Sequence, residues 1–361
     1  MPVILVSGIA EHAMAAATIA LQWDLPTAVV VQHEVDPERE VLTRTVSDIT
    51  GLIEQVELNV DHACVSCAIR DDVVPTLERL AASSRWQVIV AQLPITADAV
   101  QVCRAVGMAG DAVRHLRIAA TVVALDGESL VDDLLGQQHL LDRGLPVRPD
   151  DDAGVAETTT AMVEYADAAV LIGEPETAGR EVLAVLARPD LRIYDDVGAL
   201  DSGALLAGIH RADCSEQWVS VVRRDPLPHT TGERAWVLDF RSERPFHPDR
   251  LYDTIAVLGG GPRRSRGCFW LPSRPAQVCQ WDGAGGLLGI GPCDRWDEQG
   301  PLTRIVVVGL DDGRDELEAA FRGCLLTDAE LAVRGRYWEV LDDGFEPWLG
   351  PVRHLAIDEV Q

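Results

Sequence analysis

The sequence predicts an α/β fold, in which a mostly parallel sheet flanked by helices is followed by a smaller α+β domain. In the first half of the chain, short apolar segments alternate with segments of helical spacing, which is typical of parallel strands joined by crossover helices. These apolar segments are nearly continuous, so we expect both faces of the sheet to be covered. With 361 residues, the chain is long enough for two domains with separate cores.

The first domain is predicted at residues 1–205, with a strand wherever a short apolar run lies between turn signals. The strands are expected at Val3–Val6, Thr27–Gln32, Gln55–Leu58, Gln87–Gln92, Ile118–Ala124, Ala168–Leu171 and Arg192–Tyr194. Helical spacing predicts helices at Glu11–Trp23, Val73–Ala82, Thr159–Tyr165 and Glu181–Leu186. The last of these must end before Pro189, because proline cannot continue a helix.

Residues 206–233 are predicted to be a linker, because the periodicity weakens there and two prolines interrupt the stretch. Residues 234–361 are predicted to form the α+β domain, which holds most of the tryptophans. Its strands are expected at Ala235–Phe240, Gly267–Leu271, Ala276–Trp281 and Arg304–Val308, and its helices at Pro248–Val257 and Asp315–Arg322. Pro248 suits the first turn of a helix, where no N–H is needed.

The charge of the chain excludes several kinds of partner. All 31 basic residues are arginine, and the formal net charge is −27. Nucleic-acid backbones and anionic membranes are therefore not expected as ligands, whereas a basic protein or a cation would be attracted. The first apolar run is too short for a signal peptide, and no run reaches the ~20 residues of a membrane span. We therefore expect a cytoplasmic protein with reduced thiols.

The first strand and helix have the order of a phosphate-binding loop, but the residues that bind phosphate are missing. Such loops carry G-x-x-x-x-G-K-[ST], in which lysine neutralises the phosphates and the hydroxyl group holds magnesium. Counted from Gly8, this register places Ala13, Met14 and Ala15 at the second glycine, the lysine and the hydroxyl. We therefore predict no catalytic residue here and no role for GTP or Mg²⁺ as a cofactor.

A pair of cysteines offers the alternative chemistry of a metal site. Cys64 and Cys67 have the spacing at which two thiolates grip one ion, typically zinc, which needs two further ligands. Candidates are His62, beside the pair, and His33 and Glu34, at the carboxyl end of a strand where ligands gather. Two alternatives stay open: the thiols are partly buried residues of a turn, or they form a redox pair.

Several longer segments resemble the CobW-type family of P-loop GTPases and metallochaperones, over nearly the whole chain. In order, they are His33–Val35, Cys64–Asp72, Arg244–Leu251, Arg264–Leu271 and Trp281–Gly286. The resemblance implies a P-loop-type first domain, a CobW C-terminal-like second domain and a Zn²⁺ site at the cysteine motif. It also implies the alternative function, which is that of a GTP-dependent zinc metallochaperone.

The chain departs from the family pattern where that family handles nucleotide. The middle cysteine of the metal motif is Ser66. The family's Glu-Thr-Thr-Gly segment is replaced by Ala91–Pro94, and its guanine-reading Asn-Lys-x-Asp motif by Ile172–Pro175. Three altered motifs predict that any GTP hydrolysis is weak or absent.

The altered pattern resembles an actinobacterial branch of the family that acts under zinc limitation. The shared features are the phrase Cys64–Asp72 and the ending that includes Leu325–Leu331, Trp338 and Phe345–Trp348. The resemblance implies that the chain recruits a ribosome hibernation-promoting factor to the small ribosomal subunit. Its partners would be these two, by protein contacts rather than by direct binding of nucleic acid. A plain zinc-binding or redox protein without a ribosomal partner remains a third hypothesis.

Overall fold

The computed structural model describes residues 1–59, 65–145, 151–228 and 232–352, without the side chains of residues 65 and 66. The chain divides into two compact units. The first unit contains residues 1–134 and 138–219, and the second contains residues 135–137 and the chain from Ser220 onward.

The first unit is built on an eight-stranded sheet with the order β4-β3-β2-β5-β1-β6-β7-β8. Its strands are β1 (Pro2–Ser7), β2 (Ala28–Asp36), β3 (Val41–Asp48), β4 (Gly51–Asn59), β5 (Val88–Gln92), β6 (Arg117–Asp126), β7 (Ala168–Ile172) and β8 (Arg192–Tyr194). In the order of the sheet, the strands β2, β5, β1, β6, β7 and β8 are parallel to their neighbours. The β2–β3 and β3–β4 pairs at one edge are antiparallel. The parallel strands therefore share one carboxyl edge.

Helices cover both faces of this sheet. They are α1 (Glu11–Asp24), α2 (Val65–Ala68), α3 (Val74–Ser83), α4 (Ala99–Met108), α5 (Leu130–Leu135), α6 (Val155–Tyr165), α7 (Thr177–Leu186), α8 (Ser202–Ala207) and α9 (Ala212–Val219). A π-helical turn, Ile69–Val73, joins α2 to α3. Because side chains alternate along a strand, Val3 and Leu5 enter one core with Leu77, whereas Ile4 and Val6 enter another with Met14.

The second unit is built on a five-stranded antiparallel sheet with the order β12-β11-β10-β13-β9. Its strands are β9 (Trp236–Ser242), β10 (Arg263–Phe269), β11 (Gln277–Ala284), β12 (Leu287–Arg295) and β13 (Thr303–Gly309). Its helices are α10 (Pro248–Gly259), α11 (Arg314–Cys324), α12 (Asp328–Arg334) and α13 (Glu346–Leu349). The core includes Phe246, Phe269 and Trp281, which are fully buried aromatic side chains.

The predicted fold class is confirmed, and the division between the two units falls inside the predicted linker. The first half of the expected linker, 206–233, contains α9, and the two units divide between Val219 and Ser220. Trp218 explains the difference, because its buried indole N–H donates to the Leu186 carbonyl and fixes α9 to the first unit. Within the described ranges, no helix is long and apolar enough to cross a membrane.

Candidate functional site

The segment between β1 and α1 is too short to cradle a phosphate with the expected residues. It spans residues 8–10, and α1 begins at Glu11, so Ala13 and Met14 lie inside the helix. Their amide groups donate to the Ala10 carbonyl at 3.1 and 3.0 Å. A phosphate cradle needs amide groups that point at the ligand. These two amides are instead engaged in the first turn of α1.

The Met14 side chain occupies the space beside Gly8. Met14 is fully buried, and a Cβ atom added to Gly8 would lie 2.9 Å from its Cγ and 2.7 Å from the Ala124 carbonyl oxygen. An apolar side chain in a core cannot neutralise a phosphate. Glu11 adds a negative charge to the first turn of α1, where an anion would otherwise be stabilised by the helix dipole.

A neutral amide lies at the carboxyl end of β5, directly after Ala91, which stands in place of the glutamate of the resembled family. Gln92 is buried, and its Oε1 atom accepts hydrogen bonds from Thr18 at 3.0 Å and from Gln32 at 3.2 Å. These bonds connect α1, β2 and β5 at one point of the sheet edge. Gln92 therefore links three elements without supplying the charge that a magnesium ion prefers.

The loops after β6 and β7, where the resembled family reads guanine, close on each other. The Gly127 amide donates to the Ile172 carbonyl at 2.7 Å, and a Cβ atom on Gly127 would lie 2.6 Å from the Gly173 carbonyl oxygen. Gly173 has a φ of +85°, which favours glycine. The Ile172–Pro175 segment is thus held by close backbone packing.

His33 is the candidate metal ligand whose surroundings are described most completely. It is buried on β2, and its Nε2 atom lies 3.0 Å from Asp72 Oδ2. Its Nδ1 atom is buried and has no hydrogen-bond partner in the parts of the chain that the structure describes. A histidine that ligates a metal through one ring nitrogen usually donates the other N–H to a carboxylate. His33 has this arrangement, with Nδ1 left for a ligand.

Asp72 is held as an anion by its neighbours. Burial opposes its ionisation, but hydrogen bonds from His33 and Arg44 lower the pKa of Asp72 below its usual value. Arg44 also pairs with Glu54, at 2.7 Å, and donates to Thr76 at 3.1 Å. The network therefore ties β2, β3 and β4 to the π-helical turn that follows the cysteine motif. Such π-helical turns occur frequently at functional sites.

The sheet separates two residues that the sequence prediction placed in one metal site. Side chains alternate along β2, so His33 shares the face of Val29 and Val31, which α3 covers, whereas the exposed Glu34 points to the opposite side. Glu34 is still paired with Thr43 of β3 at this point. Glu34 and His33 therefore lie on opposite faces of the sheet at this register.

The cysteine motif lies partly outside the described residues. Cys67 is half-buried on α2, which leads into the turn that carries Asp72, but Cys64 and His62 fall outside the described ranges. Within those ranges, no three histidine, cysteine, aspartate or glutamate side chains could hold one ion. The predicted set of Cys64, Cys67, His33, Glu34 and His62 stays a prediction. Sequence reasoning missed Arg44 and the role of Asp72, although Asp72 ends the distinctive cysteine phrase.

In the second unit, two arginines of the Arg244–Leu251 segment bind the start of α12. Arg250 forms a two-point ion pair with Glu330 and donates to the Leu325 carbonyl, while Arg244 donates to Asp328. Thr327 and Glu330 form a capping box at the same helix start. Two segments that are distant in sequence thus form one structural corner. The basic cluster at residues 263–266 is also engaged, since Arg263 pairs with Asp311 and Arg264 with Asp282.

Comparison with known proteins assigns the chain to a family. Residues 236–325 match the family described as "Cobalamin synthesis protein cobW C-terminal domain". The "Zinc chaperone Rv0106" of Mycobacterium tuberculosis is 30% identical over an alignment of 362 positions, which covers 89% of this chain and 87% of that protein. The chain belongs to the CobW family.

Two proteins of lower identity align over most of the chain as well. The "Zinc-regulated GTPase metalloprotein activator 1" of Dictyostelium discoideum is 20% identical over 86% of this chain and 73% of its own length. Among solved structures, the Zn(II)-bound YjiA GTPase from E. coli matches 90% of this chain and 99% of its own, with 16% identity and a TM-score of 0.37.

Proposed function

We propose that this CobW-family chain binds zinc through the Cys64 and Cys67 thiolates and His33 Nδ1, without hydrolysing GTP. The observation that carries the proposal is the buried Nδ1 atom of His33, which has no hydrogen-bond partner among the described residues, while the Nε2 atom is hydrogen-bonded to Asp72. Two thiolates and an imidazole are a ligand set that suits zinc. The names of the relatives, a zinc chaperone and a zinc-regulated metalloprotein activator, support the choice of metal.

Each residue around the proposed zinc site would have a separate role. Asp72 orients the His33 ring and leaves Nδ1 as the nitrogen that faces the ligand, because the carboxylate accepts a hydrogen bond from Nε2–H. Arg44 balances the negative charge of Asp72. The fourth ligand would come from His62 or from water, since the sheet holds Glu34 on the other face. Zinc binding would release protons from the thiols, so its affinity should fall below neutral pH.

The proposal that GTP is not hydrolysed rests on three positions. Met14 supplies no cation and is buried, Ala15 supplies no hydroxyl group, and Gln92 supplies no carboxylate. Phosphoryl transfer depends almost entirely on positioning and on neutralising charge, and these positions provide neither. If the first unit does not use GTP, zinc is the remaining ligand to which it could respond.

The finer proposal is that the chain recruits a ribosome hibernation-promoting factor to the small ribosomal subunit when zinc is scarce. It is supported by the resemblance of Cys64–Asp72 and Leu325–Leu331 to an actinobacterial branch with that role. The net charge of −27 also suits a basic protein partner. Zinc would bias the chain by bridging the cysteine loop to β2, since a ligand shifts a population toward the state that it prefers.

A second candidate is a GTP-driven zinc chaperone, which the GTPase named among the relatives favours. Nucleotide titration separates the two. The non-hydrolytic proposal expects no magnesium-dependent GTP turnover above that of a no-protein control. Turnover that is lost when Gly8 is replaced would instead establish the GTP-driven chaperone.

The adaptor proposal is tested by ribosome sedimentation with the hibernation factor present, at several zinc concentrations. Wild type should co-sediment in a zinc-dependent way, and a Cys64→Ala/Cys67→Ala variant should lose that dependence. If wild type fails to co-sediment at any zinc level, the adaptor role is wrong. If co-sedimentation depends neither on zinc nor on the cysteines, the adaptor role is retained and the proposal that zinc controls it is wrong.

A further inference from the structure

The second unit carries an open apolar groove between α10 and β12. It has a volume of about 270 Å³. Ile255, Ala256 and Gly259 of α10 form one wall, Leu288 and Ile290 of β12 form the other, and Trp348 closes one side. Gly259 packs directly on Leu288, because a Cβ atom there would lie 2.6 Å from the leucine Cδ2. This close contact lets α10 lie low on the sheet and leaves the groove shallow.

Two large aromatic side chains stand exposed at the groove. Tyr252 is 53% exposed and Trp348 is 40% exposed, with 6.3 Å between their ring centroids. Both rings also contact Phe345, which is fully buried and holds them in place. Rigid, partly exposed Trp and Tyr side chains dominate the energetics of protein interfaces. The pair is therefore arranged as an anchor for an apolar side chain of a partner.

Carboxylates border the same face of α10. On the helix, Tyr252, Ala256 and Gly259 form an apolar stripe, and the exposed Asp249 and Asp253 lie along the stripe beside it. Glu346 is exposed on α13, two residues before Trp348.

Counter-charges are scarce along this border. In the described part of the chain, no arginine pairs with any of the three carboxylates. The only ion-pair contact is that of Asp249 with His247, at 4.0 Å. Burial and the nearby Arg250 lower the pKa of His247, which disfavours the charged form of its ring.

We propose that this groove binds a basic peptide segment of a partner protein, with one or two large apolar side chains beside Arg or Lys. The apolar side chains would enter between Ala256 and Leu288 and contact the two aromatic rings. The basic side chains would pair with Asp249, Asp253 and Glu346, which supply the complementary charge. The proposal concerns the second unit alone and does not depend on zinc or nucleotide.

A second copy of the chain is the less favourable occupant. A copy would bring the same acidic surface, with a net charge of −27, against the acidic border of the groove. Like charges at an interface oppose association, whereas a basic segment is steered toward it. Complementarity of charge therefore favours a different, basic partner.

The test uses the full chain and a fluorescein-labelled peptide of leucine and lysine, patterned as a 14-residue amphipathic helix, in a fluorescence anisotropy titration. A leucine–glutamate peptide with the same pattern is the control ligand. Tyr252→Ala removes one aromatic anchor, and Ala256→Arg fills the groove from an exposed position where it should not disturb folding. Val333→Ala is the control variant, since Val333 is 85% exposed and does not line the groove.

We expect both groove variants to weaken binding of the leucine–lysine peptide at least tenfold and Val333→Ala to leave it unchanged. Asp253→Asn should weaken it about threefold and reduce its dependence on salt. Equal affinity in wild type and Ala256→Arg would overturn the proposal, because the peptide would then not occupy the groove. Comparable binding of the leucine–glutamate peptide would also overturn it. A wild-type dimer that Ala256→Arg converts to a monomer would identify a second copy as the occupant and contradict the proposal.

Discussion

The Met14 side chain lies directly against Gly8, at the turn that leads from β1 into α1. A Cβ atom on Gly8 would come within 2.9 Å of Met14 Cγ. The same methionine is part of the core formed by α1 and the sheet. Met14, which stands at the lysine position of the motif, therefore does more than remove a charge, because its side chain also contributes to core packing.

Restoring the missing side chains should damage the fold rather than recover activity. We expect Met14→Lys/Ala15→Thr to lower the free energy of unfolding by about 2–4 kcal/mol, because the lysine replaces a buried apolar side chain. GTP turnover should stay at background, since Gln92 and the Ile172–Pro175 loop are unchanged. Urea unfolding and a phosphate-release assay measure the two effects. Ala15→Thr alone, as the control, should change stability by less than about 1 kcal/mol.

Zinc affinity should depend on Asp72 and not on Glu34. Replacing the carboxylate that orients a ligating histidine typically costs about 10–100-fold in metal affinity, so Asp72→Asn should weaken zinc binding by that factor. Glu34→Gln changes the same type of charge on the opposite face of β2 and should have an effect below about threefold. Competition with a chelating dye measures both. An equal loss in the two variants would show that charge, not orientation of His33, is responsible.

Asp98 should make the first unit less stable as the pH rises. Burial raises its pKa to about 6, although the carboxylate accepts a capping hydrogen bond from the Val100 amide. The folded state then holds a proton more tightly than the unfolded state, so stability falls between about pH 4 and 6 and stays low above that range. Asp98→Asn keeps the cap and should stabilise the chain by about 1–3 kcal/mol at pH 8.

Measurements at low pH are the control for this prediction. At pH 4 and below, wild-type Asp98 is protonated, so thermal unfolding of the Asn variant and the wild type should coincide. A stabilisation of equal size at pH 4 and pH 8 would contradict the assignment, because it would not involve ionisation of this carboxyl.

Glu330 should have the opposite pH dependence in the second unit. Hydrogen bonds from Arg250 and from the Thr327 amide lower its pKa to about 2. Its contribution is therefore complete above about pH 4.5 and is lost as the pH falls toward 2. Because the side chain is 28% exposed, we expect Glu330→Gln to cost only about 1–2 kcal/mol at pH 7. Urea unfolding at pH 7 and pH 4 should show this difference shrinking, and Asp328→Asn, on an 88% exposed carboxylate, should cost less than about 0.5 kcal/mol.

The parallel strands could be predicted because burial on both faces leaves a continuous apolar run in the sequence. β3 could not be predicted from an apolar run, because Arg44 and its threonine neighbours are polar. This strand is defined instead by its pairing with β2 and β4. α9 lies where the sequence periodicity weakens, and it is fixed to the first unit by long-range contacts such as those of Trp218 with Leu186 and of Glu216 with Arg104. In each case, a tertiary contact decides the local structure.

The candidate site was predictable in its residue types and not in its arrangement. The cysteine spacing and the nearby histidine indicated zinc, but His33 and Asp72 are 39 residues apart and nothing local links them. The absence of lysine and the start of the first helix at Glu11 were both visible in the sequence, whereas the burial of Met14 against Gly8 was not. The position of Glu34 on the far face follows from the pairing of β2 with β3.

The most direct test of the account is X-ray absorption spectroscopy at the zinc edge, on zinc-loaded wild type and His33→Gln prepared without nucleotide. The account predicts two sulfur ligands at about 2.3 Å and imidazole nitrogen at about 2.0 Å in the wild type. His33→Gln should retain both sulfur ligands and lose one imidazole. An unchanged imidazole contribution in His33→Gln, or a wild-type site without sulfur, would contradict the account.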